Sequence, residues 1–99
     1  AGAYLNKGNA LAATGRHDEA FKDFDIAIKM RPKDAAAYKY KARVLSEVGR
    51  YEESLIFYKK ALDLRPKDYL ILLGMGKVLS SLGREDESQK VLAKAKELQ

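Results

Sequence analysis

Lys39 and Arg43 stand four residues apart, a spacing that brings two side chains onto one face of a helix, and Lys77 follows Arg43 by 34 residues. Cations so arranged can form a shallow basic strip, whose chemistry is the recognition of carboxylates. Lone lysines on solvated helix faces are commonplace, so the strip rests on the cluster and not on any one member. No comparable grouping serves bond-making chemistry. The single histidine, His17, falls where Tyr51 and Glu85 stand at multiples of the same interval, which points to a structural, solvent-facing role. Gly74-Met75-Gly76-Lys77 has the outline of a phosphate loop but not its spacing. Ile71 stands where the first glycine belongs, Val78 replaces the Ser or Thr, and no strand precedes it. Asp23 and Asp25 are two apart and face different ways on a helix. With no cysteine there is neither a disulfide framework nor a thiolate metal site. Nothing converges into nucleophile, base and oxyanion donors, so an enzyme is not expected, and no metal or cofactor is implied.

The interval of 34 residues runs through the whole chain. Tyr4, Gly15, Arg16, Glu19, Ala27, Arg31, Pro32, Lys33 and Asp34 fall on Tyr38, Gly49, Arg50, Glu53, Ala61, Arg65, Pro66, Lys67 and Asp68. A third copy follows with Leu72, Gly83, Arg84, Glu87 and Ala95. A fixed period in this range marks a solenoid, in which each unit buries its apolar face by stacking on a neighbour. The units are residues 1–34, 35–68 and 69–99, expected to form one domain over 1–99. Within each, two segments carry apolar residues at helical spacing, separated by Gly-Arg. The first unit predicts helices over about Ala3 to Thr14 and about Asp18 to Met30. Gly15, Gly49 and Gly83 are placed to end the first helix of each pair in the left-handed conformation. Asp18-Glu19, Glu52-Glu53 and Glu85-Asp86-Glu87 then put carboxylates in the first turn of the second, where the helix dipole favours them. Pro32 and Pro66 close that helix, and Asp34 and Asp68 cap the next. Six helices result, with no strand signal, and the short loops make neighbours antiparallel.

Composition narrows the partners. Ninety-nine residues, 46% of them hydrophobic and 33% charged, suit one globular domain, and a net charge of +5 favours acidic partners. Nucleic acid fits less well, because a dedicated binder concentrates its basic residues on one element with aromatics for stacking, whereas here they are distributed over all three units. The longest apolar run, Tyr69 to Leu73, is too short to span a membrane. No charged-then-apolar leader opens the sequence, so a soluble cytoplasmic protein is expected.

The residues at fixed places in each unit make the chain resemble the tetratricopeptide repeat family. Tyr4, Gly8, Gly15, Ala20, Phe24, Ala27 and Pro32 match that family's pattern, as do Tyr38, Ala42, Gly49, Ser54, Tyr58, Ala61 and Pro66. Leu72, Gly76, Gly83, Ser88, Leu92 and Ala95 follow in the third unit. Small residues let paired helices approach closely while the bulky ones fill the gaps beside them. Lys7 and Lys41 depart from the frequent leucine, their stems still able to cover apolar surface. The resemblance implies an all-α solenoid of three antiparallel helix pairs with right-handed stacking. It further implies a concave groove lined by the first helix of each pair. Carried onto this chain, the lining is Leu5, Asn6, Asn9, Lys39, Tyr40, Arg43, Glu47, Leu73 and Lys77. That mixed surface suits an extended or helical peptide with acidic character. The carboxylate clamp of relatives that bind chaperone tails is absent, since Leu5, Asn9, Tyr40, Leu70 and Gly74 stand at its positions and only Asn9 matches.

The resemblance also marks where the array stops. Phe21 and Ile28, then Leu55 and Leu62, would face a following unit, whereas Gln89 and Lys96 are polar, as a terminal cap requires. Ala3, Ala10 and Thr14 are correspondingly small or polar on the first helix, and a monomer is expected. The leading reading is a non-catalytic scaffold that binds a partner's peptide. Nucleic-acid or acidic-polymer binding and a structural or self-association module are the alternatives, separable by salt dependence and by assembly without ligand.

Overall fold

The computed structural model describes residues 2–98. Six helices follow one another: α1 (Gly2–Ala13), α2 (His17–Met30), α3 (Ala35–Glu47), α4 (Tyr51–Leu64), α5 (Tyr69–Ser81) and α6 (Glu85–Glu97). No strand occurs among the described residues. The turn glycines do what their spacing requires. Gly15, Gly49 and Gly83 have φ of 83°, 83° and 76°. Each donates to the carbonyl three residues back, and the following arginine reaches back five, to Leu11, Leu45 and Leu79, so every first helix ends in a Schellman motif. Asp34 accepts from the amide of Ala36, and Asp68 from those of Leu70 and Ile71, capping α3 and α5. At the starts of α2, α4 and α6, Arg16, Arg50 and Arg84 pair with Glu19, Glu53 and Glu87, which places an ion pair beside the dipole that the acidic first turns were expected to serve.

Packing within a pair depends on small residues. Ala20, Ala27, Ala42, Ser54, Ala61, Ser88 and Ala95 are all at most 2% exposed. The two serines are more than small. Ser54 donates to the carbonyl of Ala42 at 2.6 Å and Ser88 to that of Gly76 at 2.7 Å, tying the helices of the second and third pairs together. A β-carbon on Gly8 would meet Phe24, and one on Gly76 would meet Leu92, each at 2.6 Å or less.

The core has two lobes. Leu5, Ala12, Ala20, Phe24, Ala27, Ala37 and Val44 make one, joining α1, α2 and α3. Tyr38, Leu55, Tyr58, Ile71, Met75 and Val78 dominate the other, joining α3, α4 and α5. Ile28 packs against both, which makes the stack continuous. Among the described residues α3 approaches α1 and α5, while α2, α4 and α6 do not approach one another. The second helices therefore splay outward, and α1, α3 and α5 line the inner curve.

Tyr4 differs from its expected role as a gap filler. Its counterpart Tyr38 is 7% exposed, stacks on Phe57 and donates to the carbonyl of Pro32 at 2.8 Å, but Tyr4 is 36% exposed. In the first unit Asp23 replaces Phe57, and no earlier turn among the described residues offers a carbonyl. Lys41 does cover apolar surface: its ammonium lies 4.4 Å from the centre of the Phe57 ring and 2.6 Å from Asp25.

Candidate functional site

A cavity of about 690 Å³ opens between α3 and α5 on the inner curve. Six of the nine residues expected in a groove line it: Lys39, Tyr40, Arg43 and Glu47 from α3, and Leu73 and Lys77 from α5. Helical spacing explains the arrangement, since Lys39, Arg43 and Glu47 succeed one another at intervals of four along one face. Lys77 projects from the opposite wall.

Arg43 is held on three sides. Its Nη2 donates to Asn9 Oδ1 at 2.8 Å, its Nε lies 3.7 Å from Glu47 Oε1, and its guanidinium sits 5.4 Å from the centre of the Tyr40 ring. The Lys39 ammonium lies 5.3 Å from the same ring, so Tyr40 carries a cation at each of two neighbouring positions. Asn9 thus enters the site by orienting Arg43 from α1 across the groove. Three cations face one carboxylate here, a surplus of positive charge in a partly enclosed space.

The remaining two expected residues lie elsewhere. Asn6 is exposed on α1 and lines no part of the cavity. Leu5 is not a groove residue in this structure: it is 7% exposed and belongs to the core with Phe24, Ala37 and Val44. Leu5 and Leu11 are the only large aliphatic residues of α1, and the seam against α2 and α3 takes Leu5 in.

Sequence reading missed part of the lining. Leu70 adds apolar surface at the start of α5 and is 58% exposed, while Ser46, Tyr51 and Ser81 add hydroxyls at the far end. Tyr58, from α4, reaches the floor beside Gly74. Burial raises the Tyr58 pKa, with Arg43 pulling it down and Glu47 pushing it up. Its phenol stays protonated and can donate. A signal for this existed in the glycine at 74, a poor helix former where α1 and α3 carry Asn6 and Tyr40.

The other candidates for chemistry are dispersed. Gly74 to Lys77 run inside α5, so they form no phosphate loop. Asp23 is buried with Oδ2 unpartnered, whereas Asp25 is exposed and paired with Lys41, the two facing apart as their spacing required. No group of three or more His, Cys, Asp or Glu side chains among the described residues could hold a metal ion. None of their helices is long and apolar enough to cross a membrane.

Solved structures share this architecture. The second tetratricopeptide domain of Spaghetti (RPAP3), solved with the HSP90 peptide SRMEEVD, superposes with a TM-score of 0.93 at 18% identity, over 98% of this chain and 90% of that one. MamA superposes with a TM-score of 0.92 at 24% identity, over 97% of this chain. This chain spans 56% of that MamA chain. No curated protein matches the sequence. Models of the tetratricopeptide repeat match residues 5–69 and 70–99. By that match, the chain belongs to the tetratricopeptide repeat family.

Proposed function

We propose that this chain is a non-catalytic scaffold that holds an extended, acidic segment of a partner protein in the groove between α3 and α5. The observation that carries the reading is the cavity itself, where Lys39, Arg43 and Lys77 surround the apolar surface of Tyr40, Leu70 and Leu73. Such a surface offers side-chain pockets and charge to a peptide laid along it. The Spaghetti neighbour is bound to the HSP90 peptide SRMEEVD, whose two glutamates and aspartate are in keeping with this reading. Recognition here would use different residues, since Leu70 and Gly74 stand where the chaperone-tail clamp has cations. In this reading residues 1–99 act as one domain of three units, 1–34, 35–68 and 69–99, and the monomer is the binding species.

Selection of random dodecapeptides by phage display on the whole chain tests the proposal. Recovered peptides are expected to be rich in Asp and Glu. Replacing Lys39, Arg43 and Lys77 together by Glu should then raise Kd about tenfold or more. Neutral or basic peptides, or an affinity indifferent to the triple replacement, would refute it.

A further inference from the structure

Tyr58 and Gly74 form a feature that belongs to neither the repeat pattern nor the basic strip. Tyr58 is 4% exposed, yet it lines the cavity. Its access depends on the residue opposite. A β-carbon at position 74 would come within 2.6 Å of both Cζ and the hydroxyl oxygen of Tyr58, closer than atoms pack. Any other residue there would displace the ring tip. Gly74 has no positive φ and ends no helix, so backbone conformation does not call for it. It weakens the middle of α5 relative to alanine. What it provides is room for the phenol.

The hydroxyl is equally particular to this place. Phe24 and Leu92 occupy the equivalent positions in the other units and carry none. Both lie against glycines of their own pair, Gly8 and Gly76, where the second pair has Ala42. The Tyr58 ring tip lies instead against α5 of the following pair. Tyr38 spends its hydroxyl on the carbonyl of Pro32, but among the described residues that of Tyr58 has no hydrogen bond to protein. Beside it Arg43 is already fixed by Asn9 and Glu47, so the floor combines an oriented cation with an uncommitted donor.

We propose that Tyr58, admitted to the groove by Gly74, is the polar anchor for the bound segment, its hydroxyl donating to one side-chain carboxylate of an acidic peptide. The inference rests on the peptide-binding reading above, and charge complementarity selects the ligand: Lys39, Arg43 and Lys77 outnumber Glu47 along the cavity lining, with Arg43 and Glu47 the charges that act on the phenol. A donor aimed from the floor adds direction to a field that is otherwise only attractive.

The test uses a peptide recovered by the display selection, resynthesised with each Asp or Glu singly replaced by its amide, and titrated calorimetrically against the whole chain. Tyr58→Phe, which keeps the ring, should weaken the parent peptide about tenfold, the worth of a hydrogen bond to a charged acceptor. One amide replacement should cost the wild type a similar factor and Tyr58→Phe almost nothing, the coupling expected of two groups that touch. Gly74→Ala should weaken binding comparably by displacing the phenol, and Tyr38→Phe should leave affinity unchanged. Equal affinity of wild type and Tyr58→Phe overturns the anchor and leaves the peptide reading standing. A loss shared equally by all the amide peptides overturns the carboxylate assignment. Failure of the wild type to select any peptide removes the peptide reading and the anchor together.

Discussion

Leu5 and Leu73 hold the same place in their units and meet different fates. Leu5 is enclosed by Phe24, Ala37 and Val44, whereas Leu73 is half-buried on the cavity wall. Leu5→Ala is therefore expected to cost about 2 to 4 kcal/mol of folding stability, through lost transfer energy and the hole left behind. Leu73→Ala should cost about 1 kcal/mol or less and act mainly on binding. Urea unfolding of both variants checks the contrast; equal losses would mean that Leu5 is no more part of the core than Leu73. Ser54 makes a related point. Read as merely small, it is also a buried donor to Ala42, so Ser54→Ala should cost about 1 kcal/mol although it enlarges nothing.

Helix ends carry the next level of organisation. Gly49 sits at φ 83° in the turn between α3 and α4. Gly49→Ala keeps the turn's hydrogen bonds but forces an L side chain into the left-handed region, and is expected to cost about 1 to 2 kcal/mol in thermal unfolding. The arginine and glutamate pairs at the starts of α4 and α6 make a pH-dependent contribution. Hydrogen bonds from Arg50 and Arg84 hold Glu53 and Glu87 below the ordinary value of 4.5. A carboxylate depressed in the folded state binds fewer protons there than when unfolded, so its stabilisation is complete above that value and is lost as pH falls through the lowered one. Both pairs are exposed, which keeps the effect small. Replacing Arg50 and Arg84 by Gln should flatten the decline of Tm between about pH 5 and about pH 3, leaving its slope above about pH 5 unchanged. An undiminished decline would show that other carboxylates dominate.

At the scale of the molecule, α6 is polar at places where the earlier second helices present apolar residues to a following pair. Leu55 is buried and Leu62 half-buried against the following pair, while Gln89 and Lys96 are exposed at the corresponding places. Giving α6 an apolar face by Gln89→Leu with Lys96→Leu should produce concentration-dependent association, measured by light scattering, because the new stripe imitates one that elsewhere receives a neighbour. The unmodified chain is expected to remain monomeric under the same conditions, and a stable dimer would contradict the capped reading. Ile28, touching both lobes of the core, is the residue through which stability in one half should be felt in the other.

The sequence by itself determined the period, the helix pairs, the glycine turns, the aspartate caps and the small residues at the crossings. All of these depend on local conformation or on a spacing repeated along one chain, so three copies reinforce each reading. Helical periodicity also put Lys39 and Arg43 on one face of α3, while Tyr40 and Glu47 were placed beside them by resemblance to the family. Contacts between elements were decided only by the tertiary structure. Asn9 reaches Arg43 from another helix, Leu5 turns into a seam instead of a groove, Tyr4 is left exposed where Tyr38 is covered, and Gly74 admits the phenol of Tyr58 to the floor. Each of these outcomes depends on the volume and polarity of residues brought together by stacking, and a repeat pattern read along the chain carries the position of such residues but not the space left between them.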